Sequence, residues 1–448
     1  MILRRSLRGW AAALISVGAM ATETGALETH DGAPHAGRSM RRSAQSAAQR
    51  GSRPGPRLVP DAVRKSNLQV RLSFVGRIPT YTNPTSPVSV GSQLLLIDQS
   101  GYIYRWDGSS MHDLLTPTST LADITLTGRE SVLNVAADAT GSIVYVMFTT
   151  VNAPPDVPLR FSPRPGADAW HALYQYDFDG TQLSNPRAIT AMQVRLDGHT
   201  GGGLAVLPDG SLLFATGDNG DAFEDGRSYA QDATNHLSKI LQIDPTNGSV
   251  TVIAMGVRNV QRLAIYGEGA GTRLDFIDLG GAIAEELDSA PMPGLFSGNS
   301  PKNFGWGRNP GDAQAREGTF YIDAGGSTTG AAPIPESGFL QPAAQFGREG
   351  ALLIAASGPV SSPVSFSRIT SLFGDLVSGS VYATTGALSL TPQDVFRVNL
   401  VDQNRQPVTL AGLTGGERPD PRFFNFPDGT AGVLLERSGN FYRLTETK

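Results

Sequence analysis

From about residue 68 to the C-terminus one unit recurs: a short apolar strand, a turn rich in Gly, Asp or Pro, and a second strand often ending in an aromatic-Arg or hydrophobic-Asp pair. It runs as PVSVGSQLLLIDQSGYIYRWDG (87–108), LNVAADATGSIVYVMFTTV (133–151) with ALYQYDFDG (172–180), and LAVLPDGSLLFATGD (204–218) with SKILQIDPTNGSV (238–250). Later copies are LAIYGEGAGTRLDFIDLG (263–280), GDLVSGSVYATTG (374–386) with DVFRVNL (394–400), and FFNFPDGTAGVLLERSGNFYRL (423–444). Hairpins in series, without a dozen residues of helical periodicity between them, exclude a parallel α/β sheet. Six copies give about 64 residues each, above the usual blade length of about 40–50, and the segments 152–170, 219–234 and 290–345 take up the excess as loops. The expected fold is all-β: a six-bladed β-propeller over 67–448, its ring closed by terminal strands sharing a blade. A pair of β-sandwiches is the alternative, but sandwiches do not require the same turn unit six times.

Composition narrows the chemistry. The chain has 448 residues with 52 Gly and 30 Pro, which suits many turns, and 40% hydrophobic residues, enough for a large core. Its lack of cysteine excludes a disulfide scaffold, thiolate metal sites and a Cys nucleophile. Residues 1–65 hold 11 Lys/Arg against 4 Asp/Glu, whereas the rest hold 25 against 37. An acidic body is a poor partner for nucleic acid, whose binding rests on neutralising phosphates. Arg4, Arg5 and Arg8, the apolar run from Gly9 to Gly18, and Ala19-Met20-Ala21 read as an export signal over 1–21, placing the protein in the periplasm or outside the cell. Residues 22–66, rich in Ser, Ala, Gln, Pro and Arg, read as a disordered basic linker. No later run reaches 18 apolar residues, so no membrane span is expected.

Unusual residues concentrate between Asp197 and Trp306. The stretch opens with His199-Thr200-Gly201-Gly202-Gly203-Leu204 before a Pro-Asp-Gly hairpin and continues through Gly217-Asp218-Asn219-Gly220 and AQDATNHLSKILQID. Gly256-Val257-Arg258-Asn259-Val260-Gln261, DLGGAIAEELD (278–288) and Asn303-Phe304-Gly305-Trp306 follow. In order and spacing this resembles the glucose/sorbosone dehydrogenases, six-bladed propellers that carry pyrroloquinoline quinone (PQQ) and calcium. The resemblance implies oxidation of a sugar or related alcohol, with His199 as the general base that takes the substrate hydroxyl proton. It implies cofactor contacts from Arg258, Asn259, Gln261 and a final-blade arginine, Arg422 or Arg418, and a calcium site from Gly280, Gly281 and Glu285.

The residue types suit those roles. A guanidinium fork matches a carboxylate of the triply acidic quinone, and side-chain amides can orient its edge. Carbonyl and carboxylate oxygens suit calcium, and imidazole exchanges protons near neutral pH. Each also has a plainer reading. His199 could bond a loop carbonyl, Arg258 and Asn259 could clamp a loop, Glu285 and Glu286 could be solvated, and Asp218-Asn219-Gly220 could be an ordinary turn or an ion-binding loop. Asn247-Gly248-Ser249 fits a glycosylation acceptor and, more simply, a hairpin turn.

The sequence departs from the family pattern in several places. The Asp expected before the base is Gly198, with Asp197 one residue earlier; Arg-Asn is followed by Val260 where Pro is usual; and the late hairpin 381–390 has no lysine. Two further readings therefore stand beside the dehydrogenase: a non-catalytic carbohydrate- or protein-binding propeller derived from the family, and a calcium-dependent lactonase-type hydrolase.

Overall fold

The computed structural model describes residues 63–447, except 118–130, 155–156, 161–166, 196–197, 220–228, 268, 282–283, 299, 308–313, 324–327, 332–337, 348–355, 362 and 390–391. The expected export signal and nearly all of the linker lie outside the described residues. The chain is already placed at Arg64, whose N–H donates to Val395 O (2.8 Å), three residues ahead of the expected start of the propeller at 67.

Among the described residues regular secondary structure is almost all β-strand, arranged mainly in antiparallel four-stranded units. Sheet I comprises Val88–Val90, Gln93–Asp98, Tyr102–Trp106 and Met111–Leu115; sheet II, Ser131–Ala137, Ile143–Thr150, Ala169–Phe178 and Leu183–Val194. Sheet III comprises Gly201–Val206, Leu212–Thr216, Lys239–Ile243 and Val250–Met255; sheet IV, Leu263–Tyr266, Arg273–Asp278, Ala284–Pro291 and Ala344–Gly347. Sheet V comprises Ala356–Ser361, Ser371–Asp375, Val381–Thr384 and Phe396–Val401. Sheet VI comprises Pro421–Asn425, Ala431–Leu435 and Asn440–Thr447, completed by the N-terminal strand Gln69–Arg77, which pairs antiparallel with the last strand from Gln69↔Thr447 onward. A short parallel pairing of Gln69–Arg71 with Asn399–Val401 joins sheets V and VI. The span 290–345, expected to be loop, carries a separate three-stranded sheet: Gln314–Glu317, Phe320–Asp323 and Thr328–Ala331.

The first strands of successive sheets neighbour one another in a closed order that returns from Pro421–Asn425 to Val88–Val90. Period-two alternation explains how the ring is filled. In Gln93–Asp98, Leu94 and Leu96 face a core shared with Phe424, Leu434 and Phe441 of sheet VI. Leu95 and Ile97 face a core shared with Val135, Val146 and Phe148 of sheet II. Phe214 packs with Leu173 and Met192 between sheets II and III, and Ile240 with Leu274 and Phe276 between III and IV. Phe346 meets Phe373 and Tyr382 between IV and V, and Leu372 meets Phe423 and Tyr442 between V and VI. Because each sheet is buried on both faces, its strands read as continuous apolar runs; truncating a core ring such as Phe214 to Ala costs about 3–5 kcal/mol. The arrangement of sheets is propeller-like, and the loops at one end of sheets III and IV carry the residues discussed next.

Candidate active site

The Pro-Asp-Gly turn sets the site by counting. Val206 pairs with Leu212, Ala205 with Leu213, Leu204 with Phe214 and, after an irregularity, Gly201 with Thr216. Two residues beyond that last pair, on opposite strands, stand His199 and Asp218. His199 Nδ1 lies 2.8 Å from Asp218 Oδ1, and both side chains are largely buried. His199 adopts the left-handed region (φ 48°). Its carbonyl accepts from Asn219 N–H (3.2 Å), while the Asn219 amide donates to Gly198 O (3.3 Å) and Arg195 O (3.4 Å). A Cβ on Gly217 would overlap the His199 carbonyl, so this close approach needs glycine.

Arg258 approaches the other ring nitrogen, with Nη2 3.1 Å from His199 Nε2. A guanidinium only donates and a carboxylate only accepts. The imidazole therefore carries its proton on Nδ1 and presents a lone pair at Nε2. The arginine is anchored by its own N–H to Asp278 Oδ2 (2.7 Å) and by Nη1 to Leu279 O (2.7 Å). Its guanidinium carbon lies 5.3 Å from the Trp306 ring centroid. Asn259 N–H donates to Asp278 Oδ1 (2.7 Å), and its side-chain oxygen accepts from Gly201 N–H (3.1 Å). Burial pushes Asp278 up to about 7, against the opposing pull of the Asn259 and Arg258 N–H groups and the Arg258 charge.

The glycine pair expected to hold a metal lies beside this cluster. Gly280 N–H donates to Glu285 Oε2 (3.2 Å), and Glu285 is fully buried on its strand. Glu317, from the inserted sheet, accepts from Ala284 N–H (2.7 Å), and a Cβ on Gly281 would stand 3.1 Å from its Oε2. Two carboxylates thus reach Gly280, Gly281 and Ala284, and the solvated alternative for Glu285 and Glu286 falls, since both are buried. Burial, with neighbouring carboxylates adding, holds Glu286 and Asp288 well above the ordinary range. Among the described residues no group of three or more His, Asp or Glu is arranged to hold a metal, so a cation here would lean on loop carbonyls.

Gln261 and Arg422 meet each other, Nη1 to Oε1 at 2.9 Å, and neither bonds His199 among the described residues. Arg422 also pairs with Glu436 (2.9 Å) and donates to Pro84 O (3.1 Å); Arg418 pairs with Asp420 (2.6 Å). His199, Arg258 and Asn259 are linked contact by contact through Asp278 and Leu279 to the adjoining Gly280 and Glu285, with Gln261–Arg422 a neighbouring pair. Sequence reasoning missed Asp218 as the partner of His199, Asp278 as the clamp on the 258–259 loop, and Glu317. Asp197, weighed for Asp218's role, lies outside the described residues. Asn247-Gly248-Ser249 is the turn between Lys239–Ile243 and Val250–Met255.

The ring of sheets defines a propeller-like fold. Residues 85–270 match the family model described as Glucose / Sorbosone dehydrogenase. The fold is similar to the PQQ-bound aldose sugar dehydrogenase of Streptomyces coelicolor (18% identity, TM-score 0.55, 85% of this chain and 99% of that one). It is also similar to a glucose dehydrogenase (17%, 0.56, 84% and 99%) and to the calcium structure of a Trichoderma reesei protein of Carbohydrate-Active Enzymes Family AA12 (13%, 0.50, 88% and 100%). At these identities the likeness carries the fold alone. No curated protein matches the sequence. Among the described residues no helix is long and apolar enough to cross a membrane.

Proposed function

We propose that this chain is an exported six-bladed propeller that oxidises a sugar or related alcohol with PQQ and calcium. The observation that carries the reading is His199: its Nδ1 proton is held by Asp218, and its Nε2 lone pair faces a guanidinium at the edge of the site.

The residues present fit the cofactors in part. Arg258 keeps donors beyond its bonds to His199 and Leu279, and Asn259 turns its oxygen to Gly201, leaving Nδ2 without a protein partner among the described residues. Both could bond carboxylate or quinone oxygens. Glu285, Glu317 and the Gly280 and Gly281 carbonyls are an all-oxygen set of the kind calcium takes. When bound, PQQ and calcium would supply a polarised quinone as hydride acceptor.

The chain's own part is the proton. A substrate hydroxyl entering between His199 Nε2 and Arg258 Nη2 would donate to the lone pair and accept from the guanidinium. His199 would take the proton as the neighbouring C–H hydride departs, Asp218 would stabilise the imidazolium, and Arg258 would stabilise the developing oxyanion.

The binding-propeller reading has its own support: the 381–390 hairpin lacks lysine, and Arg422 is neutralised by Glu436. Reconstitution separates the two. Protein titrated with PQQ and calcium is expected to develop bound-quinone absorbance and to reduce a dye in the presence of aldoses. His199→Ala is expected to lower turnover by about 10²–10⁴-fold while retaining cofactor binding. No binding at micromolar PQQ would leave the binding propeller as the function.

A further inference from the structure

One aromatic ring touches both groups that hold His199. Trp306, 5% exposed, donates its indole N–H to Asp218 Oδ2 (3.0 Å). Its face lies under the Arg258 guanidinium. The Asp218 carboxylate is thereby divided, one oxygen for the indole and the other for His199 Nδ1 (2.8 Å). A carboxylate held at both oxygens cannot turn about its own bond without losing a charge-assisted hydrogen bond.

The ring is braced from behind. Trp306 N–H donates to Gly256 O (2.8 Å), and its carbonyl accepts from Gln231 Nε2 (2.6 Å). Gln231 and Asn303 exchange side-chain amide bonds (2.7 and 3.2 Å). This amide pair lies so close to Gly256 (φ 73°) that a Cβ there would overlap Asn303 Oδ1. The 3-10 turn Tyr229–Gln231 that carries Gln231 is tied down in turn by the buried Lys239, whose Nζ donates to Tyr229 O (2.7 Å) and Leu237 O (2.5 Å).

We propose that Trp306, braced by Gln231, is a positioning residue that fixes the tautomer of His199: it reserves Asp218 Oδ1 for the Nδ1 proton and aims Arg258 at Nε2. The inference rests on His199 being the base, but its test needs no turnover. In cofactor-free protein labelled with 15N-histidine, His199 is assigned as the signal lost in His199→Ala. The wild type is expected to show a protonated Nδ1 and an unprotonated Nε2. Trp306→Phe, which keeps a ring under Arg258 but deletes the N–H, is expected to shift His199 to a mixture of tautomers. In reconstituted enzyme it should lower kcat by about tenfold or more, with KM changed less, as loss of one charge-assisted bond predicts. Gln231→Met, which leaves the indole in place, should move the tautomer in the same direction by less, and it decides the matter if Trp306→Phe does not fold. An unchanged tautomer in the folded variants, or a wild type protonated on Nε2, overturns the proposal; so does lower turnover with an unchanged tautomer, which would place Trp306 on the substrate instead. A shifted tautomer in a wild-type background that never turns over would uphold the positioning role and sink the dehydrogenase reading.

Discussion

The loops of sheets III and IV and the end of sheets V and VI use the same residue types in opposite ways. At sheets III and IV, His199, Asp218, Arg258 and Asp278 form a connected set in which each charge orients another and Nε2 of His199 faces the Arg258 guanidinium. On sheets V and VI, Arg422 is closed off by Glu436 and Arg418 by Asp420, and the strand Val381–Thr384 brings no cation. A part-buried guanidinium already paired with a carboxylate must surrender that partner before it can hold an acidic ligand. On the proposed reading, one side serves chemistry and the other its own neutrality. Any anionic cofactor should therefore draw its affinity chiefly from the Arg258–Asn259 loop.

The sharpest way to break this contrast is Asp218→Asn. Asparagine keeps the shape, but it is neutral and must choose between bonding the indole and bonding the imidazole. On the general-base reading, dye-linked turnover at saturating PQQ is expected to fall on the order of 10²–10⁴-fold, close to the loss in His199→Ala. Turnover within twofold of wild type would mean that the set at sheets III and IV is as inert as the pairs opposite.

The same contrast explains what the sequence made legible. Repeated hairpins were readable because turn chemistry is local: Asp209 bonds Ser211 two residues on, and Gly210 takes φ 86°. Apolar runs such as Gln93–Asp98 were readable because alternate residues fill two cores. His199, Arg258 and Asn259 stood out through motif spacing. Asp218 was visible as a turn or ion-binding residue but not as the partner of His199, although the pairing of Val206 with Leu212, counted outward, brings 199 opposite 218. That register needed the irregularity between Gly201 and Leu204 to be known, and no local signal marks it. Glu317 arrives from an inserted sheet more than thirty residues beyond Gly281, and sequence spacing gives no sign of that meeting. Arg422 was readable as a charge, but its neutralising partner lies across the Pro421–Asn425 and Ala431–Leu435 hairpin.

A middle-sized effect should sharpen the contrast from the other side. Glu436→Gln removes the counter-charge of Arg422 while keeping a hydrogen-bond acceptor. If the quinone binds as proposed, its dissociation constant should fall by about tenfold, the worth of one released charge-assisted bond. Equilibrium titration of PQQ into wild type and variant at fixed calcium measures it. An unchanged constant would mean that Arg422 never faces the ligand.

The smallest expected effect is on stability, and its sign follows from the same glutamate. Burial pushes Glu436 up to about 7, with the Asp420 charge adding and Arg422 opposing. Its folded pKa lies above the ordinary 4.5, so its stabilising share is complete below pH 4.5 and is lost as pH rises through about 7. Other groups pull the opposite way in part of that range. His171 and His236, held by burial at about 3 and about 4, lose their share as pH falls, so the wild-type slope alone is not diagnostic. The difference between Glu436→Gln and wild type isolates the glutamate, because the histidines are common to both. The variant's melting temperature relative to wild type should rise between pH 5 and 8, by on the order of a few degrees. Calorimetry at three pH values measures the trend. A flat difference would mean that Glu436 stays ionised beside Arg422 throughout, and that the end of sheets V and VI is held by a true ion pair.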